Sequence, residues 1–300
     1  MIGRLIAIWL LLCGVATAQV GQIPAWPPSQ PLISSYQGPG NIVSGAVAWW
    51  GFRGYNGSYS GNAAIICTAS DVSCETETIS NGNLVLGSVG TACLISGTCL
   101  VKTFFDQSGA KACAGSTACD VTNATASAQP TFTAAALNSI PCATFTGSSS
   151  QNLESANSFT LAQPLTFSTV AKRTSAFTSL GAIISAISSG NAPPAIGFFS
   201  TTNDGWLFAG SNITATATNS AFHAMQGVVQ GATTSSLTVD GSTTTGSSGS
   251  DVFGDNLMVG EINGADFFTG AFCEGGIWPV AFNSTQLSNM NSNQHTYWNF

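Results

Sequence analysis

Charge is what this sequence has least of. Only 6% of its 300 residues are Asp, Glu, Lys or Arg, and six of these are basic. The chain has two His. Nucleic-acid binding needs clustered basic side chains, so the composition excludes that class of partner. The chain is not disordered in composition, because 44% of it is hydrophobic and 10% aromatic. An uncharged polar surface with aromatic side chains favours neutral polysaccharides or glycans over ions.

Long hydrophobic runs are also scarce. The one apolar run, LIAIWLLLCGVA, lies at the start, follows Arg4 and is too short to span a bilayer comfortably. Ala16-Thr17-Ala18 fits a cleavage site, which predicts a signal peptide over residues 1–18. Residues 19–40 are rich in Pro and Gly and predict a linker or strap, and residues 41–300 predict one folded domain. We therefore expect a secreted protein, extracellular or periplasmic, with no membrane contact beyond the signal peptide.

Helical periodicity is missing from most of the chain. Short β-type runs such as PLTFSTVAK and NLMVGEI alternate with Gly-rich turns, and this pattern predicts an all-β jelly-roll sandwich. The C-terminal end is the exception. There Asn283 can cap a helix with Gln286 three residues on, and Leu287 and Met290 share one face.

Cysteine spacing indicates disulfides. The chain has nine cysteines, and loss of Cys13 with the signal peptide leaves an even number. We predict three local bridges and one long-range bridge, although eight cysteines allow 105 pairings. The predicted pairs are Cys67 with Cys74, Cys93 with Cys99, Cys113 with Cys119, and Cys142 with Cys273. A zinc site is the competing interpretation, but no CxxC spacing occurs and the histidines lie elsewhere, so we expect no metal and no cofactor.

Two segments carry a family resemblance. CLISGTCLVKTFFDQSG, residues 93–109, resembles the catalytic domain of α-L-arabinofuranosidase B, glycoside hydrolase family 54, in which a short disulfide loop precedes an aromatic-Asp-Gln-Ser-Gly turn. DNLMVGEINGADFFTGAFCEGGIWPVAFNSTQLSNM, residues 255–290, resembles the closing strands of concanavalin A-like, laminin-G-like sandwiches. The resemblance implies a disulfide-stabilised concanavalin A-like jelly roll that removes arabinofuranose from plant polysaccharides with two carboxyl groups.

The resemblance also implies site residues. Glu261, after Gly260, matches the family's acid/base aspartate when a two-residue gap is allowed, and an ungapped match gives Asn263. Asp204-Gly205-Trp206 is similar to the stretch before the family's nucleophile, but counting onward reaches Asn212, which cannot attack an anomeric carbon as a carboxylate does. The adjacent cysteine pair that lines the family's sugar pocket is missing.

Each candidate has a structural alternative. Asp106 and Gly109 fit a turn better than an acid site, because Asp bonds main-chain N–H groups two residues on and Gly tolerates positive φ. For Glu261 the structural alternative, a solvent-facing strand residue, is the one that ordinary strand alternation favours. Trp206 is a sugar platform or a core residue. Asp266 is a turn residue or a hydrogen-bonding partner of the substrate.

Three functions remain open from sequence. The first is a secreted arabinofuranosidase with Glu261 as acid/base, an unidentified nucleophile and substrate contacts from Asp204, Trp206, Asn212 and Asp266. The second is a non-catalytic, lectin-like sugar-binding sandwich. The third is a structural or cell-surface interaction protein.

Overall fold

The fold was analysed in a computed structural model, which describes residues 36–96, 98–174, 180–186, 193–199, 204–231 and 233–300. The predicted signal peptide and most of the predicted 19–40 linker lie outside the described residues. Of that linker, residues 36–40 pack onto the domain: the Tyr36 hydroxyl donates to the main-chain oxygen of Gly54 at 2.6 Å. No helix among the described residues has the length and apolar content to cross a bilayer.

The described residues form nineteen strands in one antiparallel network. The strands of the first half are β1 Ala48–Gly51, β2 Asn62–Thr68, β3 Cys74–Ser80, β4 Asn83–Val85, β5 Cys99–Phe104, β6 Val121–Thr122, β7 Thr131–Leu137, β8 Ile140–Phe145 and β9 Leu153–Leu161. The strands of the second half are β10 Leu165–Arg173, β11 Leu180–Ala186, β12 Ala195–Phe199, β13 Asp204–Phe208, β14 Asn212–Thr216, β15 Phe222–Val229, β16 Ser235–Val239, β17 Ser242–Gly246, β18 Phe253–Val259 and β19 Gly270–Trp278.

The pairings define the two layers of a sandwich. One layer runs β1–β19–β10–β15–β16–β17, and the other includes β9–β18–β11–β12–β13–β14. Aromatic pairs join the layers, with Phe167 of β10 lying 5.7 Å from Phe253 of β18 between ring centroids. Phe104 of β5 and Phe272 of β19 meet at the same distance, 5.7 Å. The predicted all-β, concanavalin A-like sandwich is confirmed.

Three α-helices cover parts of the sandwich: α1 Pro39–Ile42, α2 Ser88–Ser96 and α3 Ser284–Trp298. Helix α3 is the predicted one. The Asn283 side chain accepts from the Gln286 N–H at 2.9 Å, and the Gln286 side chain accepts from the Asn283 N–H at 2.9 Å. Leu287 and Met290 lie on the buried face of this helix. The sequence prediction missed α2, which begins where Glu75 of β3 accepts the Val89 N–H at 2.7 Å, a contact that depends on tertiary structure.

All four predicted disulfides are present. The three local bridges close loops at sequence separations of 7, 6 and 6, whereas Cys142–Cys273 joins β8 to β19 across a separation of 131. The core that they enclose is aromatic. Trp49, Trp50 and Trp278 are fully buried, as their apolar sequence context predicts.

Candidate functional site

The main chain around Glu261 is held rigidly. Glu261 follows β18 through Gly260, whose φ of +97° is one that side-chain-bearing residues rarely adopt. A Cβ at Gly260 would lie 2.4 Å from the Phe145 ring, so the position requires glycine on steric grounds as well. The Gly260 N–H donates to Ile183 of β11 at 2.9 Å, and the Ser185 hydroxyl donates to the Glu261 main-chain oxygen. The sandwich therefore fixes the origin of the Glu261 side chain.

The Glu261 side chain is buried, with 3% of the residue exposed. The solvent-facing alternative is therefore wrong, because the residue lies in the turn beyond the strand and not on its outer face. Burial raises the pKa of the Glu261 carboxyl, and the nearby charge of Glu154 raises it further. Hydrogen bonds from the Asn152 side chain and the Gly264 main chain oppose this shift without cancelling it. Glu261 thus holds its proton to a higher pH than an ordinary glutamate.

An amide chain orients Glu261. Asn123 donates from Nδ2 to the Asn152 Oδ1 at 2.6 Å, which leaves the Asn152 amide nitrogen for the Glu261 carboxyl. The same Asn123 nitrogen reaches the Asn152 main-chain oxygen at 3.1 Å. A side chain held in this way is preorganised, since neither amide can rotate without losing a hydrogen bond.

Glu154 is the functional candidate that sequence reasoning missed. It lies on β9, two residues after Asn152, whose side chain bonds Glu261. In the β9–β18 register Glu154 lies opposite Met258, and the Asn256 side chain donates to the Glu154 Oε1 at 2.7 Å. The pairing of β9 with β18 thus places Glu154 close enough to Glu261 to affect its pKa. No local sequence signal marks this partner, because it depends on strand register.

The strand pair β13–β14 carries Trp206. It is 1% exposed and belongs to a buried cluster that includes Ile262, the residue after Glu261. The Trp206 Nε1 donates to the Asn212 Oδ1 at 2.7 Å, and the half-buried Phe208 stacks on the indole at 5.5 Å between centroids. The structure therefore brings Trp206 and Asn212 together, and it packs Trp206 against the turn that carries Glu261.

Asp204 and Asp266 lie in different elements of this region, a strand and a turn. Asp204 begins β13. Burial of Arg173 lowers the pKa of its guanidinium, and the charge of Asp204 partly offsets that effect. Asp266 ends the turn that follows Glu261, and its main-chain oxygen accepts the Ala182 N–H at 3.3 Å. Asp266 thus lies in the same turn as Glu261, whereas Asp204 acts electrostatically on Arg173.

Asp106 and its neighbour lie elsewhere, inside the scaffold. The Asp106 Oδ1 accepts N–H groups from Trp49 at 3.1 Å and Ser108 at 2.9 Å, and its Oδ2 accepts that of Cys119 at 3.2 Å. Gln107 accepts the Tyr55 N–H at 2.9 Å. Gly109, with φ of +72°, completes the turn. These contacts connect three segments of main chain and bring Asp106 to no other site candidate.

One group of side chains in the described residues has the proximity needed for a metal: Cys67, Asp71 and Cys74. The two cysteines are joined to each other as a disulfide, so they offer no thiolate ligands. The two histidines are engaged by one carboxylate: His223 Nδ1 lies 2.6 Å and His295 Nε2 3.3 Å from Asp240 oxygens.

The candidate site is therefore the buried Glu261 carboxyl, under the electrostatic influence of Glu154, on a concanavalin A-like sandwich. Solved structures share that fold. An arabinofuranosidase complexed with arabinofuranosyl-α-1,2-xylobiose superposes with a TM-score of 0.64 at 14% identity, over 86% of this chain and 64% of that chain. A GH54 α-L-arabinofuranosidase soaked with a cyclic sulfate inhibitor gives a TM-score of 0.60 at 15% identity, with the same coverages. The chain thus spans about 64% of the length of these enzymes. At these identities the likeness is one of fold alone.

No protein-family model matches the sequence, and no curated protein matches it.

Proposed function

We propose that this protein is a secreted carbohydrate-active enzyme of the arabinofuranosidase type, which hydrolyses terminal arabinofuranosyl groups of plant polysaccharides. The observation that carries the proposal is the carboxyl pair. Glu261 is buried with a raised pKa, and the charge of Glu154, which accepts a hydrogen bond from Asn256, contributes to that shift. Two carboxyls held in different environments are what glycoside hydrolysis requires, because one must give a proton while the other stays ionised.

In this mechanism Glu261 donates its proton to the glycosidic oxygen as the bond to the anomeric carbon breaks. The Glu154 carboxylate either attacks that carbon to form a glycosyl ester or activates a water on the opposite face. In the first case water then cleaves the ester, with Glu261 taking the proton back. A carboxyl separation near 5 Å gives retention of configuration, and one of about 6.5–9.5 Å gives inversion.

We place substrate contacts around the same turn. Asp266 lies on it, and Asp204, Trp206 and Asn212 lie on the adjoining β13–β14 pair. Because Trp206 is 1% exposed, its contribution in this proposal is to support the turn through Ile262.

The test is hydrolysis of p-nitrophenyl-α-L-arabinofuranoside. We expect Glu261→Gln and Glu154→Gln each to lower kcat by about 10²- to 10⁴-fold, the usual contribution of an acid or base. Glu75→Gln, at a carboxyl that contacts α2, is the matched control and retains activity. Wild-type activity should fall as pH rises through the raised pKa of Glu261, because the acid must be protonated. Full activity in Glu154→Gln would remove Glu154 from the mechanism, and an inert wild type would remove the enzyme.

A lectin-like binding module is the second candidate, favoured by one observation. The position that the resemblance matches to the nucleophile holds Asn212, and its side chain accepts from Trp206. An inert wild type that binds a glycan array, with binding abolished by Trp206→Ala, would support this candidate. Absence of both activity and glycan binding would leave an interaction protein.

Secretion is part of the proposal. Four disulfides are expected in an oxidising compartment, and the N-terminal pattern predicts cleavage after Ala18. N-terminal sequencing of protein from the culture medium should begin at Gln19. Protein retained in the cytoplasm with free thiols would contradict this part.

A further inference from the structure

A groove lies between helix α3 and the outer face of the β16–β17 hairpin. Its volume is about 510 Å³, within the range of small-ligand sites. It shares no lining residue with the Glu261 site. Any ligand of this groove would therefore be bound independently of the carboxyl pair.

The hairpin side of the groove is a field of hydroxyls. Ser236 and Thr238 of β16 alternate with Leu237, so they lie on the opposite face of the strand, where they line the groove at 9% and 2% exposure. Thr238 lies opposite Thr243 of β17, with their Oγ1 atoms 2.8 Å apart, and Ser236 lies opposite Thr245. Each hydroxyl has one donor and two acceptor positions, so the row keeps hydrogen-bonding capacity toward the groove.

The helix side adds polar groups above an apolar floor. Ser284, Ser288 and Asn291 fall at i, i+4 and i+7, which places them on one face of α3. Phe282 and Leu287 form the floor, at 5% and 9% exposure. The Asn291 Oδ1 is buried and has no hydrogen-bond partner in the part of the chain that the structure describes. The half-buried Asn291 side chain thus adds an amide to the lining of the groove.

The lining excludes charged ligands. Among the described residues that line it there is no Asp, Glu, Lys, Arg or His, so these residues offer neither carboxylates to a cation nor basic groups to a phosphate or nucleic acid. The nearest acid along the chain, Asp240 beside Gly241, is engaged by His223 and His295. A dense set of hydroxyls with an amide and two apolar contacts matches a ligand that is itself uncharged, rich in hydroxyls and partly apolar on its C–H faces.

We propose that this groove is a second saccharide-binding site, which takes a segment of a neutral polysaccharide. Its role is to hold the polymer on the protein whether or not the Glu261 site hydrolyses it. The inference depends on the chemistry of the groove and not on the enzymatic proposal, and the two are tested by different variants.

The experiment is an NMR titration of the ¹⁵N-labelled mature protein with xylohexaose and with α-1,5-linked arabinohexaose. At least one hexasaccharide should shift the amides of Thr238, Thr243 and Asn291. Ser288→Phe inserts a ring at an exposed position of the groove wall and should weaken that binding at least tenfold. Asn289→Phe places the same ring on the outer face of α3, outside the lining, and should change affinity less than twofold.

Three further results decide the proposal. Glu261→Gln should leave the groove titration unchanged even where hydrolysis is lost, which separates this site from the proposed catalytic one. Trigalacturonate, an anionic probe, should bind at least tenfold more weakly than the neutral hexasaccharide. The proposal is overturned if neither hexasaccharide shifts the groove amides, if Ser288→Phe binds like wild type, or if trigalacturonate binds equally well. Concentration-dependent shifts without sugar would instead mark self-association and overturn it too.

Discussion

Asp106 is expected to be a major determinant of stability. Its carboxylate accepts three main-chain N–H groups, from Ser108 of its own turn and from Trp49 and Cys119 elsewhere in the chain. Trp49 and Cys119 are fully buried, so water cannot replace the carboxylate at those two groups. Asp106→Ala should therefore leave two buried donors unpaired.

The size of the effect follows from that count. An unpaired buried donor costs about 1–3 kcal/mol, so two of them cost roughly 2–6 kcal/mol, and the half-buried Ser108 N–H adds less. This is a large share of the roughly 5–15 kcal/mol that stabilises a typical domain. Asp106→Asn keeps the Oδ1 contacts but directs an amide N–H₂ toward the Cys119 N–H. Its expected cost is about 1–3 kcal/mol, equivalent to one lost partner.

The assay is urea unfolding followed by tryptophan fluorescence with the disulfides intact, which gives the free energy of unfolding for each variant. Asp255→Ala is the control, because the hydrogen bond recorded for its side chain is local, to the adjacent Asn256 N–H at 2.9 Å. It should cost less than about 1 kcal/mol. The reasoning is refuted if Asp106→Ala unfolds within about 1 kcal/mol of wild type. Full stability in Asp106→Asn, with loss of any hydrolysis of p-nitrophenyl-α-L-arabinofuranoside that the wild type shows, would instead identify Asp106 as a chemical acid.

Replacing both Cys142 and Cys273 with Ala removes the disulfide that spans 131 residues, and loop-closure entropy predicts a loss of up to about 5 kcal/mol in the free energy of unfolding. That is about twice the loss expected when a local bridge is removed. Equal decreases in Tm for the long bridge and a local bridge would contradict this. Burial disfavours protonation of His223, but its bonds to Asp240 and Thr218 outweigh that and raise the pKa. The wild type should thus be more stable than His223→Gln below about pH 6.5, and this difference should disappear as pH rises through the raised pKa of His223. Urea midpoints of both proteins measured against pH test this, and a difference that does not change with pH would disprove it. Glu75→Ala should destabilise the start of α2 by about 1 kcal/mol, visible as faster hydrogen exchange confined to Ser88–Ser96, and unchanged exchange there would argue against the capping contact.

The sequence by itself determined the elements that depend on local or statistical physics. Strand alternation and Gly-rich turns predict the sandwich, and the Asn283–Gln286 capping box predicts α3, because both signals lie within a few residues. The disulfides could also be predicted from the sequence, because pairing the cysteines that are close in sequence leaves only Cys142 and Cys273 to form the fourth bridge.

Only the tertiary structure decided the candidate sites. The charge of Glu154 acts on Glu261 because β9 pairs with β18 in one register, and a shift of a single residue would turn Glu154 to the opposite face. Helix α2 depends on a carboxylate from β3, and the groove exists because α3 packs beside the β16–β17 hairpin. These contacts join residues far apart in sequence. Strand register and the packing of the two layers are set by the free energy of the whole chain, so no local sequence pattern encodes which side chains they bring together.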